Sequence, residues 1–283
     1  MFKKLAILTL LLCSPALAAT QPDTKIQWHK DFKKAQELAK STGKPMLLDF
    51  VADWCKPCKE MERKFWPKAE IVELSKKFVC VSISFDDRGP EISRYRVDSI
   101  PAVIFTDPWG NLLAGRFGFG PHLVDPLTQI INKVPADFSS INEWNAVLAR
   151  EKDNLLALTR VAGFYREHSI FDLSNSYFKR ALKTKEIEAD VKAREDLLIA
   201  IGINYLKAKD YDDARKTFES SLKEIPNGTQ ADTALLGILT AQLNKKKISE
   251  GEKTLAQLKT SYPSSPLIEK GEKLLQMAKN QKN

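Results

Sequence analysis

Two cysteines three positions apart, Cys55 and Cys58 in Trp54-Cys55-Lys56-Pro57-Cys58-Lys59, are the residues of this chain best suited to chemistry. Thiols at i and i+3 at the start of a helix share one face and come close enough to bridge. The unpaired backbone N–H groups and the dipole at that end favour a thiolate, the species that attacks a disulfide. Lys56 and Lys59 add positive charge. Cys55, first and at the exposed end, is read as the nucleophile. Cys58, one turn further in, is read as the group that resolves the mixed disulfide. Pro57 suits a first-turn position and stiffens the turn. Two blander readings compete. A zinc site needs about four ligands, and the rest of the chain offers Cys80, His29, His122 and His168 without paired spacing. An inert structural disulfide belongs in a framework with more cysteines at longer spacing. Cys80 reads as a small buried core residue, the histidines as structural or surface groups, and Asp53 and Asp86-Asp87 as solvated loop charges. Neither a cofactor nor a metal is expected.

The elements that must hold this pair alternate between helical and strand patterns, as in an α/β unit. Asp31 to Lys40 is amphipathic, with Phe32, Ala35, Leu38 and Ala39 on one face, and Gly43-Lys44-Pro45 ends it. Met46 to Val51 is a short apolar run, the mark of a strand buried on both faces. A helical stretch runs from Cys55 to about Lys77, interrupted near Pro67, and Phe78 to Phe85 reads as the next strand. Asp86 to Pro90 is a loop. Pro101 to Thr106 and Leu112 to Phe117 form a hairpin around Asp107-Pro108-Trp109-Gly110-Asn111. A helix from about Leu123 to Lys133 closes the unit, which is placed at residues 20–136.

Residues 137–283 read as helical almost throughout. Ser140 with Glu143 has the form of a capping box. Leu198, Ile201, Gly202, Tyr205, Ala214, Phe218, Ser221 and Pro226 fall at the positions of a helix–turn–helix repeat of about 34 residues. Forty residues earlier, Leu158, Val161, Ala162, Tyr165, Ser174, Phe178 and Ala181 give nearly the same pattern. Thirty-seven later, Leu235, Ile238, Gly251, Leu255 and Pro263 give a weaker one. This all-α array resembles tetratricopeptide repeats. Ser264-Ser265-Pro266 opens a last helix that would cap it.

The stretch from Asp49 through Lys59 resembles the strand-to-helix signature of thioredoxins. The longer run from Trp28 through Gly43-Lys44-Pro45-Met46-Leu47-Leu48-Asp49, the cysteine pair, Pro101 and Asn111 is nearer to the periplasmic thioredoxin-like domain of DsbD-type disulfide reductases. The resemblance covers about residues 26 to 133 and implies a thioredoxin fold ahead of the helical array. It assigns Asp49 to a buried acid beneath the cysteines that takes the Cys58 proton. It assigns Pro101 to a cis-proline facing the disulfide, leaving backbone groups of Ile100 to pair with a substrate strand. Trp54 would shield the sulfurs, and Lys56 and Pro57 would meet the substrate. One departure stands out. Thioredoxins usually carry a lysine beside the buried acid, and Val79-Cys80-Val81-Ser82-Ile83-Ser84 has none, so Asp49 is expected to hold its proton more tightly.

Phe2-Lys3-Lys4, the apolar run Leu5 to Leu12 and Ala16-Leu17-Ala18 have the form of a cleavable secretory signal, residues 1–19. The apolar run is too short to span a bilayer of roughly 30 Å. Lipidation at Cys13 and an uncleaved anchor are the weaker readings, since Leu12 stands where a lipoprotein signal wants a small residue. With the resemblance, this points to a Gram-negative periplasm. Removing Lys3 and Lys4 lowers the formal net charge from +8 by two, and what remains is spread along the chain. No basic stripe with interleaved aromatics occurs, so nucleic acid is not expected as a partner. The resulting expectation is a periplasmic thiol–disulfide oxidoreductase acting on protein disulfides, supplied by a membrane DsbD-like electron donor. The helical repeats would dock an envelope protein. The alternative is a repeat-based binding adaptor or redox sensor in which the redox unit is secondary.

Overall fold

Strand and helix alternate through residue 133 because apolar residues recur at two spacings, and each segment buries the stripe it carries. The computed structural model describes residues 25–280; the secretory-signal reading of residues 1–19 and the lipidation reading at Cys13 lie outside the described residues. The order is β1 (Trp28–His29), α1 (Phe32–Thr42), β2 (Met46–Val51), α2 (Lys56–Lys64), α3 (Ala69–Ser75), β3 (Val79–Ser84), α4 (Pro90–Arg94), β4 (Ala102–Thr106), β5 (Leu112–Phe117) and α5 (Pro121–Lys133). Asp31 caps α1 by accepting the Lys34 N–H (3.1 Å), and Gly43, at φ 69°, ends it in the left-handed region. The strands form one sheet in the order β1-β3-β2-β4-β5. β1 and β2 are parallel to β3, while β4 runs antiparallel to β2 and β5 antiparallel to β4.

β2 is the middle strand, which is why its sequence is apolar at every position but Asp49. Met46, Leu48 and Phe50 pack with Ala35 and Ala39 of α1 on one face. Leu47 faces the other way, onto Met61, Phe65, Ile71 and Ile131 from α2 to α5. Alternation therefore sends Asp49 to the same side as Leu47, under α2. The helical stretch after Cys55 is two helices, parted around Pro67, and the short β1 and α4 were not anticipated from pattern.

The rest is helical: α6 (Ser139–Arg150), α7 (Leu155–Glu167), α8 (Phe171–Ala181), α9 (Lys185–Ala189), α10 (Val191–Ala208), α11 (Tyr211–Glu224), α12 (Ala231–Asn244), α13 (Ile248–Ser261) and α14 (Leu267–Asn280). The Ser140/Glu143 capping box does not form. α6 starts at Ser139, two residues before the start a Ser140 cap would give, and Asp137 accepts the Ser139 N–H (2.8 Å). The repeated units are the pairs α7/α8, α10/α11 and α12/α13. Just after the first helix of each pair, Ser169, Lys209 and Lys246 adopt positive φ of 60°, 64° and 60°. The backbone thus repeats with the same spacing as the side chains. Small residues set how closely the helices approach. Phe218 of α11 lies between Gly202 of α10 and Gly237 of α12, and a Cβ on Gly202 would sit 2.6 Å from its ring.

The array is joined to the end of the sheet formed by Gly43 and the β4–β5 turn. Phe138 N–H donates to Gly43 O (2.7 Å), Asn142 Nδ2 to Lys40 O (2.7 Å), and Trp109 Nε1 to Asn142 Oδ1 (3.1 Å). Tyr165 of α7 donates its hydroxyl to Asp107, and Asn111 Nδ2 donates to both Asp107 Oδ2 (2.7 Å) and the Tyr177 hydroxyl of α8 (3.2 Å). Met46 is paired with Thr106 and Phe50 with Ala102, so this junction lies at the start of β2. Cys55 follows the other end, roughly 20 Å away by strand rise.

Candidate active site

The run Met46–Val51 delivers the chain to Cys55, and Cys55 is the N-cap of α2. Its Sγ accepts the Cys58 N–H at 3.2 Å, one of the donors a helix start leaves unpaired. Cys55 and Cys58 are joined as a disulfide with a Cα–Cα separation of 5.3 Å. Lys56 and Pro57 occupy the first helical turn and are exposed. One expectation needs correction. Cys55 is not exposed in this disulfide form; it is 2% accessible against 6% for Cys58. Closing the bond holds its sulfur against the first turn of the helix. Trp54 is 63% exposed, its indole N–H donating to Asp86 Oδ1 at 3.0 Å. Asp86 is therefore a partner of the site's tryptophan rather than a solvated loop charge alone.

The Ile100–Pro101 peptide bond is cis. Pro101 is buried and Ile100 half-buried. Since Ala102 pairs with Phe50, both stand at the cysteine end of the sheet. Pro101 O accepts the Gly118 N–H (2.7 Å).

Asp49 is buried on the α2 side. Its Oδ2 accepts the Trp66 indole N–H at 3.0 Å, while its Oδ1 has no partner in the protein. Burial pushes its pKa from 3.8 up to about 7; the Trp66 bond opposes this, Glu62 adds to it and Lys30 opposes it. A cavity of about 230 Å³ passes Asp49, Cys58, Glu62, Trp66, Lys30 and Ser82. The residue opposite Asp49 on β3 is Ser82, whose hydroxyl accepts from Lys30 Nζ at 3.1 Å. A lysine is thus present near the acid, but it comes from the β1–α1 connection. Lys30, Glu62 and Trp66 were not singled out from sequence, where they lie 19, 13 and 17 residues from Asp49.

Cys80, on β3, is 3% exposed, and burial together with the Asp49 charge pushes its thiol up to about 12. Among the described residues it is the free cysteine. His29 is half-buried and His168 accessible, and the side chain of His122 lies outside the described residues.

A pair of sulfurs over a helix start, with a carboxyl that titrates near neutrality beside the inner one, can break and make disulfides and hold the proton that moves. The raised pKa also has a stability consequence. The folded protein holds the Asp49 proton more tightly than the unfolded chain, so ionised Asp49 costs stability. That cost accumulates as pH rises from about 4 and is complete above about 7. Asp49→Asn is therefore expected to match the wild type in acid and to exceed it by roughly 2 to 4 kcal/mol near pH 8.5, at about 1.4 kcal/mol per pKa unit. Urea melts of both oxidised proteins at the two pH values check this; a variant less stable at alkaline pH contradicts it.

A family model described as "Thioredoxin-like" matches residues 27–108. A "Thiol:disulfide interchange protein TxlA homolog" from Synechocystis sp. is 26% identical over 155 residues, which is 51% of this chain and 83% of that protein. A "Thiol:disulfide interchange protein DsbD" from Ralstonia nicotianae is 32% identical over 34% of this chain, but this spans only 17% of that protein. A "Thioredoxin" from Mycoplasmoides gallisepticum is 36% identical over 81 residues, 77% of its length. With that much of a thioredoxin covered, and with the matched residues 27–108 carrying β1 to β4, the cysteine pair and Asp49, the chain belongs to the thioredoxin-like family.

Proposed function

We propose that the chain is an exported thiol–disulfide oxidoreductase that reduces disulfides of envelope proteins. The observation that carries this reading is the Cys55–Cys58 disulfide at the start of α2, with Cys55 Sγ as the cap. In the reduced protein the Cys55 thiolate attacks one sulfur of a client disulfide, forming a mixed disulfide and releasing the client's other sulfur as a thiolate. Asp49 takes the Cys58 proton, and the Cys58 thiolate attacks Cys55. The client's second sulfur leaves with the electron pair, so the client gains two electrons and the pair loses two. Pro101 and Ile100 border the client at the same end of the sheet, with Trp54, Lys56 and Pro57 on the exposed rim.

The names of the relatives support exchange chemistry. Pro57 and the DsbD-like sequence favour the reducing direction. Export is supported by the form of residues 1–19. Each cycle leaves the pair oxidised, and a membrane DsbD-like dithiol is the proposed donor. No helix among the described residues is long and apolar enough to cross a membrane. The helical pairs are proposed to dock an envelope partner. Their junction with the sheet lies at the opposite end of β2 from Cys55, so a client held on the array must extend along the sheet to reach the sulfurs.

The test is covalent trapping. Cys58→Ala leaves Cys55 able to attack and removes the group that resolves the product. Expressed in a Gram-negative envelope, this variant is expected to accumulate mixed disulfides that reductant dissolves. Their absence alongside abundant clients would defeat the reading of Cys55 as nucleophile. Adducts that persist when residues 137–283 are crowded by a bound peptide would separate redox clients from partners of the array.

A further inference from the structure

Asp49 presents one oxygen that the protein leaves unsatisfied. Oδ1 is buried without a partner, and the carboxyl lines a cavity of about 230 Å³ together with Cys58. A polar cavity of that size has room for several waters, each occupying about 30 Å³, and a buried polar atom without a protein partner is where water binds. The same space offers a route by which a proton can leave.

The charges facing Asp49 come from several elements. α2 contributes Glu62 and Lys59, the turn after β2 contributes Asp53, and the β1–α1 connection contributes Lys30. β3, the neighbouring strand, carries no charge; it presents Ser82 and the neutral thiol of Cys80. Of these, Glu62 opposes ionisation of Asp49 and Lys30 favours it. Only Lys30 is tethered across from it: its Nζ donates to Ser82 Oγ at 3.1 Å, and Ser82 is the residue paired with Asp49 in the β2–β3 register.

We propose that Lys30, held by Ser82 at the cavity, is a positioning residue for proton transfer: it offsets Glu62 and keeps Asp49 able to ionise beside Cys58. The proposal deepens, and rests on, the oxidoreductase reading above. The step it serves balances without a further reactant. The Cys58 S–H bond breaks, its proton passes to Asp49 and its electron pair stays on sulfur. That sulfur bonds to Cys55 as the Cys55–client bond breaks with its electrons going to the client. The proton then leaves Asp49 through the cavity to solvent. The direction of the Lys30 effect on Asp49 agrees with this placement.

The experiment uses the full chain and the variants Lys30→Met and Lys30→Arg, both at an exposed position that should not disturb folding. Carboxyl-carbon NMR of the oxidised protein follows Asp49 itself. Lys30→Met is expected to raise its titration midpoint by about half to one unit, the shift a partly screened neighbouring cation supports. Lys30→Arg should restore it. In disulfide-reduction assays Lys30→Met should then lose about twofold to fivefold near neutral pH and recover at alkaline pH. The loss should vanish when Asp49→Asn is already present. An unmoved midpoint, or the same loss in the Asp49→Asn background, would overturn the role of Lys30. A wild type that reduces no protein disulfide would instead defeat the oxidoreductase reading, and the NMR titration would still decide the Lys30 question.

Discussion

Cys55→Ser is expected to bring turnover of a protein disulfide to background, whereas Cys80→Ser should leave it within about twofold of the wild type. The difference follows from where the two sulfurs sit. Cys55 caps α2, and its sulfur takes the Cys58 N–H. An anion at that spot meets unpaired donors and the positive end of the helix dipole, with Lys56 and Lys59 beside it. A serine hydroxyl ionises too weakly to attack and forms no disulfide, so neither half of the exchange survives. Cys80 has the opposite surroundings. It is buried on β3, its S–H faces the Ser75 carbonyl at 3.8 Å, and its thiol is pushed up to about 12, leaving almost no thiolate at neutral pH. Reduction of an insulin-type substrate measures both variants. Thiol counting with an alkylating reagent at mildly acidic pH should show Cys55 reacting first in the reduced protein. Turnover that survives Cys55→Ser and is lost with Cys80→Ser would move the chemistry to β3.

The parts of the fold that were legible in sequence are those with a repeating physical demand. A central strand must be apolar on both faces, and Met46–Val51 is at every position but Asp49. Helices that approach closely need small residues at the crossing, and Gly202, picked out by the repeat, occurs where Phe218 requires it; Gly237, on the other side of the same ring, was not picked out. The cysteine spacing carries its own geometry, because i and i+3 on a helix start can bridge. Short elements have no period to detect, so the two residues of β1 and the five of α4 escaped. The Ser140/Glu143 motif suggested a cap that Asp137 supplies instead, since any nearby acceptor can satisfy the same N–H groups.

The surroundings of Asp49 were legible only in part. Its place on β2 and its burial follow from strand alternation. The identity of its neighbours does not, because Trp66, Glu62 and Lys30 converge through the packing of α2 and the β1–α1 connection onto the sheet. Absence of a lysine from β3 suggested a carboxyl with no cation nearby. The fold brings one from a different segment, with Ser82 as its anchor. Which charge reaches a buried acid is a tertiary property, and a single strand's sequence does not contain it. The exposure of Cys55 was misjudged for a related reason, since position along a helix does not say how a closed disulfide sits against the first turn.

Asp107→Ala is expected to uncouple the helical array from the sheet while leaving the cysteine chemistry in place. Asp107 is fully buried and accepts four hydrogen bonds: from Trp109 N (2.9 Å), Asn111 N (2.7 Å), Asn111 Nδ2 (2.7 Å) and the Tyr165 hydroxyl. Burial raises its pKa, and these donors pull it back. Tyr165 is itself fully buried in the core of α6 to α10, so the pair ties the β4–β5 turn to the heart of the array. Removing the carboxylate leaves two part-buried backbone N–H groups and a buried phenol without their acceptor, a loss of about 2 to 4 kcal/mol. Tyr165→Phe removes one donor and keeps the ring, and should cost about 1 to 2 kcal/mol. Calorimetry checks the sharper claim: one cooperative transition in the wild type should split into two with Asp107→Ala, the array and the sheet unfolding separately. A cycle combining Asp107→Asn with Tyr165→Phe should show coupling of at least about 0.5 kcal/mol, as contacting residues do. Insulin reduction at a temperature where both units stay folded should remain near the wild-type rate, because Cys55 lies beyond the far end of β2. A single transition with an unchanged midpoint would mean that the Gly43–Phe138 and Lys40–Asn142–Trp109 contacts hold the junction alone. Loss of activity without loss of stability would mean instead that the two ends of the sheet communicate.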